Sequence, residues 1–248
     1  AALSLRRDPV SRPTTTRLDL LAFGDPSYGA TPAGAPVLLN GNPNDVVRSA
    51  IETGGRRFTP LPMTRVEVNG IARSFPAGRS VVRLGRNASE SSLKREDLSR
   101  YRHLHFATHA LLDEEHPHRS AVVLSLPGVR GEDGILQPRE IMKLGINADL
   151  VVRSACETAL GKRVKGEGIL GLTRAFFYAG APRVIVSLWK VNDAATAELM
   201  QVFYATLRRT GNVPQALRAA KLEMIDSPAS FYRHPYYWAP FILTGTND

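Results

Sequence analysis

Apolar residues in this chain fall into short, nearly unbroken runs bounded by turn-forming residues. Positions 18–23, 81–84, 103–107, 121–126, 150–154 and 184–188 each read as a strand. They are short and almost wholly apolar, the pattern of strands covered on both faces. Between them the period changes to that of a helix. Residues 64–75 form one such segment, 91–98 another that opens on a serine suited to capping, and 168–178 a third, with Gly180 placed for its C-cap. After the last run, Asn192 or Asp193 can cap a helix through residue 209, with Leu199, Phe203 and Leu207 on one face and Gly211 just beyond it. A further helix is expected over 214–225.

Alternating strands and helices predict an α/β fold with a mainly parallel sheet of about six strands and helices on both faces. Function in such sheets sits outside the carboxyl ends of the strands. Residues 1–17 lack any period and read as a linker remnant, which leaves 18–248 as a single domain. Within it, Pro, Gly and Asn recur over about 26–62, a loop-rich segment expected at the surface.

Composition narrows the functional classes. No stretch reaches the roughly 18–20 apolar residues needed to span a bilayer, and no basic-then-apolar leader opens the chain, so a cytoplasmic protein without a membrane partner is expected. The 32 basic and 23 acidic residues give +9. The basic side chains are mostly Arg and are scattered singly, a solvated face rather than a phosphate-tracking run, so no nucleic acid partner is expected. The single cysteine, Cys156, cannot form an internal disulfide, and its surroundings decide its role.

Those surroundings are distinctive. The run 103–109, His-Leu-His-Phe-Ala-Thr-His, sets His109 just past one strand, and 150–156, Leu-Val-Val-Arg-Ser-Ala-Cys, sets Cys156 in the same relation to another. In a parallel sheet both emerge at one edge, with room in the interval for one more parallel strand and its crossover. A thiolate is the nucleophile of peptide-bond cleavage, and a nearby imidazole activates it. The backbone N–H groups of Cys156 and Ala110 are candidates to hold the developing oxyanion.

The segments His105-Phe-Ala-Thr-His109, Ser154-Ala-Cys156-Glu-Thr-Ala-Leu-Gly161 and the glycine-spaced run from Gly166 to Gly180 resemble the CHAT domain, a caspase-like domain often found after tetratricopeptide repeats. The likeness continues through Ser187-Leu-Trp-Lys-Val-Asn-Asp193 and Tyr236-Tyr-Trp-Ala-Pro, and begins at Leu21-Ala-Phe-Gly-Asp-Pro26. It implies a caspase-like three-layer sandwich and a cysteine endopeptidase with His109 and Cys156 as its dyad; no cofactor and no metal ligand at the site is expected, and a metal ion needed for activation is left open. It further implies a protein or peptide substrate and an upstream sensor or repeat domain. The run ending in Asp193 is similar to the separase segment whose final aspartate receives a substrate arginine, which points to cleavage after Arg or Lys; the other role open to Asp193 is helix capping. Asp25 and Ser154 are further substrate-contact candidates, and Lys162, Arg163 and Lys165 form an expected self-processing loop.

Two positions depart from the family pattern: Ala110 stands where glycine is usual, and Arg153 where an aliphatic residue is usual. They are the features that favour the alternative, a catalytically silent scaffold. His103, His105, His116 and His118 lack the cysteine and acidic partners of a zinc site and read as ordinary histidines. Gly166, Gly168 and Gly171 fit a dinucleotide fingerprint, but the eleven residues 155–165 separate them from the preceding strand, so their expected role is close helix packing.

Overall fold

A computed structural model describes residues 17–28, 58–126, 132–154, 157–160 and 166–246. Strands β1 (Leu18–Pro26), β2 (Ser80–Gly85), β3 (Tyr101–Ala107), β7 (Leu150–Arg153), β9 (Arg183–Ser187) and β10 (Phe241–Gly245) form a six-stranded sheet in the order β10-β9-β7-β3-β1-β2. All neighbours are parallel except β10, which runs antiparallel to β9. Both faces are covered because successive strand residues point to opposite sides. Leu21, Phe23, Leu104, Phe106 and Val151 pack against α2 (Glu90–Arg95), α3 (Pro138–Ile141) and α4 (Glu167–Ala179). Leu20, Ala22, Leu150, Val152 and Ile185 pack on the other face, against α1 (Pro62–Arg73), α5 (Asp193–Thr210) and α6 (Val213–Ile225). The outcome is the expected three-layer sandwich.

The interval between β3 and β7 departs from expectation. It adds no strand to the main sheet, where β3 and β7 are direct neighbours. Instead β4 (His109–Asp113), β5 (Ala121–Val123), β6 (Ile135–Leu136) and β8 (Glu157–Leu160) form a second sheet in the order β6-β5-β4-β8. The spacing explains why. Only residues 114–120 separate β4 from β5, enough for an antiparallel return but short of the dozen or so a parallel crossover requires. Asp113 shapes the return: its Oδ1 accepts the backbone N–H groups of Glu115 and His116 at 3.1 and 2.8 Å. One face of this sheet joins the main core through Leu112 and Val122, and the other, with Leu111 and Val123, packs under Tyr28 and Phe58.

Two local details refine the helices. The cap of α2 is Ser89, whose hydroxyl accepts from Ser92 N at 3.2 Å, rather than the serine that opens 91–98. At α4 the glycines allow close approach as expected. A Cβ on Gly168 would lie 3.0 Å from Ser120 Oγ and 3.1 Å from Leu112 Cβ, and one on Gly171 would lie 3.0 Å from Pro117 Cβ.

Candidate active site

Parallel β1, β3, β7 and β9 deliver their carboxyl ends to one edge of the main sheet. The register of β3 on β7 pairs His103 with Leu150, His105 with Val152 and Phe106 with Arg153. His109 stands three residues after Phe106 in the chain, and Cys156 three residues after Arg153. Cys156 itself lies outside the described residues, as do Lys162, Arg163 and Lys165. His109 is described and opens β4, where it pairs with Val123.

The His109 ring is 4% exposed and lies between Tyr28 and Phe58, with ring centroids at 5.2 and 5.4 Å. Its Nε2 is 2.8 Å from the Thr59 carbonyl oxygen. A carbonyl can only accept, so Nε2 carries the proton and Nδ1 is the basic nitrogen of the neutral ring. The peptide N–H of His109 donates to the Tyr28 hydroxyl at 3.4 Å. None of Tyr28, Phe58 and Thr59 was identified from sequence, because 26–62 reads as an aperiodic loop. The aromatic residues near its two ends were the available signal.

Ala110 is fully buried, between Val122 of β5 and Glu157 of β8. It is not among the described residues with positive φ, so alanine replaces the family's usual glycine here without left-handed strain. Arg153 is 1% exposed, the bulkiest of the fully buried side chains, at the carboxyl end of β7.

Ser154 follows β7 directly and is 4% exposed. Its Oγ is 3.3 Å from His105 Nε2, which also lies 2.9 Å from Glu67 Oε1, while His105 Nδ1 is 3.2 Å from the Tyr204 hydroxyl. These four side chains tie α1 and α5 to β3 and to the residue that follows β7. Burial raises the Tyr204 phenol well above its usual pKa, and the charge on Glu67 adds to the effect.

The two aspartates differ in position and company. Asp25 is the penultimate residue of β1, on the side of β3 away from β7. It has φ of 44°, its N–H donates to Thr64 Oγ1 at 2.7 Å, and its carboxylate takes a 2.8 Å ion pair from Arg65. Asp193 follows β9, the immediate neighbour of β7 on its other side, and is the first residue of α5. The cap of that helix is Asn192, whose Oδ1 accepts from Ala194 N and Ala195 N at 3.0 and 3.2 Å, and Asp193 is the acidic residue of its first turn.

The histidines flagged on β3 are core residues. His103 Nδ1 donates to the Asp19 carbonyl at 2.8 Å and its ring stacks on Phe75 at 5.9 Å; burial lowers its pKa to about 4. The carboxylates of Glu90, Glu132 and Glu140 converge within 4.8 Å of one another, as for a metal ion. Lys94 Nζ lies 2.7, 2.6 and 3.0 Å from them, so the chain's own ammonium supplies the cation there. Among the described residues no helix is long and apolar enough to cross a membrane.

Comparison with known proteins identifies a family and a fold. A family model, the CHAT domain, matches residues 2–246. The protein called tetratricopeptide repeat protein 28 is 35% identical over 113 residues in Mus musculus and 34% in Homo sapiens. Each match covers 46% of this chain and 4% of the relative, so the chain corresponds to a small part of those proteins. Among solved structures, the Arg specific cysteine proteinase gingipain R aligns over 92% of this chain and 46% of its own, with a TM-score of 0.51 at 8% identity. Caspase-1 from Spodoptera frugiperda aligns over 96% of this chain and 92% of its own, with a TM-score of 0.47 at 14% identity.

Proposed function

This chain belongs to the CHAT domain family, and on that premise we propose that it is a cysteine endopeptidase acting through His109 and Cys156, with preference for cleavage after Arg or Lys. One observation carries the reading. The neighbouring parallel strands β3 and β7 are paired at Phe106 and Arg153, and the histidine and the cysteine each follow that pair by three residues. The caspase-like fold supplies the setting.

In the proposed reaction His109 Nδ1 takes the thiol proton of Cys156, and the sulfur attacks the scissile carbonyl carbon. The tetrahedral oxyanion is held by the N–H groups of Cys156 and Ala110. Collapse breaks the C–N bond, and His109 returns the proton to the departing amine. Water, deprotonated by the same nitrogen, then hydrolyses the thioester and regenerates the thiol. The Thr59 carbonyl serves this cycle by holding the Nε2 proton, so that the exchange takes place at Nδ1.

Asp193 is the proposed recognition group for the substrate cation. The strand that precedes it, β9, lies next to the cysteine strand, whereas Asp25 lies beyond the histidine strand and is paired with Arg65. A carboxylate suits a guanidinium because two parallel hydrogen bonds fit its fork. The gingipain with which the fold aligns is itself Arg-specific. Self-processing at Lys162, Arg163 or Lys165 follows from the same preference. An upstream repeat region in the full-length protein accords with the relatives' composition.

Covalent labelling tests this assignment. A peptidyl acyloxymethyl ketone ending in arginine is expected to modify Cys156, with labelling at least tenfold slower in His109→Ala and Asp193→Asn. Labelling at the same rate in both variants overturns the assigned roles.

A further inference from the structure

The outer edge of the main sheet carries a second candidate site, away from the dyad. Strand β10 is an edge strand, and no described strand pairs with its free side. Beside it, Pro214, Leu217, Arg218, Lys221 and Leu222 of α6, together with Leu243 of β10, line an open groove of about 330 Å³. The five helix positions follow the i, i+3, i+4, i+7, i+8 rule, so they form one continuous stripe of α6. The neighbouring stripe, Val213, Ala216, Leu217, Ala220 and Met224, already packs on the core. The two stripes share Leu217, and Leu243 also packs against this core, so the groove is the outer margin of the core, to which Pro214, Arg218, Lys221 and Leu222 are added.

Two cations flank the groove. Arg218 and Lys221 have no ion-pair or hydrogen-bond partner among the described residues. Burial lowers the Lys221 pKa, with no opposing carboxylate to restore it. Leu222 is left 38% exposed. Two cations on the wall of an apolar groove, one partly desolvated without compensation, match a ligand that brings both an apolar side chain and a carboxylate. A second copy of the chain is a poor candidate, since each copy carries +9 and like charges repel.

We propose that the groove between α6 and β10 is a docking site for an extended acidic peptide segment of a partner protein. The segment pairs its backbone with the free edge of β10, seats a bulky apolar side chain among Leu217, Leu222 and Leu243, and places an adjacent Asp or Glu on Arg218 and Lys221. The site is separate from the peptidase reading, so either can fail alone.

Selection of phage-displayed random dodecapeptides tests it. The unmodified chain serves as bait, and the double variant Arg218→Glu/Lys221→Glu removes peptides that bind elsewhere, including at the dyad. Enriched peptides are expected to pair an acidic residue with a bulky apolar one, and to bind Leu222→Asp at least tenfold more weakly than the unmodified chain. Circular dichroism confirms that the substituted chains remain folded. Enrichment without an acidic–apolar motif, or equal binding to the variants, overturns the proposal. Sedimentation velocity supplies the remaining arm: a dimer abolished by the double variant would assign the groove to a second copy and also overturn it.

Discussion

Phe106 and Arg153 face each other across neighbouring parallel strands, and the chain runs three residues on from each to reach His109 and Cys156. The relationship brings two strand ends that are 153 − 106 = 47 residues apart in sequence side by side at one sheet edge. It does so without the extra parallel strand that the interval suggests, because the intervening residues form a separate antiparallel hairpin. The core accounts for both strand ends: Phe106 packs on Phe23 at 5.5 Å and Phe176 at 5.8 Å, while the Glu67, His105, Tyr204 and Ser154 network holds the opposite face.

The Thr59 contact specifies a tautomer. Neutral His109 is expected to carry its proton on Nε2, which ¹⁵N-detected histidine spectroscopy reads directly from the two ring-nitrogen shifts. A neutral Nδ1–H ring would contradict the role given to Thr59.

Asn192 and Asp193 are adjacent yet are assigned different roles. Asn192→Ala is expected to cost about 1 kcal/mol through loss of the helix cap, measured by urea denaturation, with little change in substrate preference. Asp193→Asn is expected to leave stability within about 0.5 kcal/mol and to lower kcat/KM for an arginine substrate about 100-fold. Reversal of these two effects would remove Asp193 from substrate recognition.

Helix propensity predicts that Gly168→Ala stabilises α4 by about 1 kcal/mol. Packing predicts the opposite sign, since the new methyl group meets Leu112 Cβ at 3.1 Å and Asp113 N at 3.3 Å, atoms fixed to strand β4. A net loss of about 1–3 kcal/mol is expected. A gain in melting temperature would mean that α4 can move away from β4.

His103 gives the fold an acid sensitivity of defined sign. Its pKa falls to about 4 in the folded chain because burial disfavours the imidazolium, against 6.5 as the ordinary value. The unfolded chain therefore binds the proton more readily, and stability present above pH 6.5 is lost as pH falls towards and through 4. The contribution approaches about 3 kcal/mol well below pH 4. Replacement by phenylalanine is expected to flatten this part of the stability–pH curve; an unchanged slope would mean that His103 does not titrate with unfolding.

Much of this architecture is legible in the sequence because the main strands are buried on both faces and appear as apolar runs. Strand β4 was missed for the same physical reason that makes it useful: residues 109–113 are too few to establish an alternation, and they follow β3 after one intervening residue, Thr108. Strand β10 was missed because Phe241–Gly245 is short and lies beside an aromatic-rich 3₁₀ segment. At the site, the chemistry-bearing side chains were visible as residue types at strand ends. Thr59 was not, since its contact with His109 is made by a backbone carbonyl that every residue possesses. Ser154 is buried against His105, a contact that depends on which face of the strand end it occupies and that the sequence does not display.

The most direct test of the central claim is turnover of a fluorogenic peptide ending in arginine, compared between the purified chain, Cys156→Ala and His109→Ala, with an aspartate-ended peptide as the specificity control. The account predicts release from the arginine peptide that falls at least 10³-fold in either variant, and little release from the aspartate peptide. Turnover that persists in Cys156→Ala, or a preference for aspartate, would contradict it.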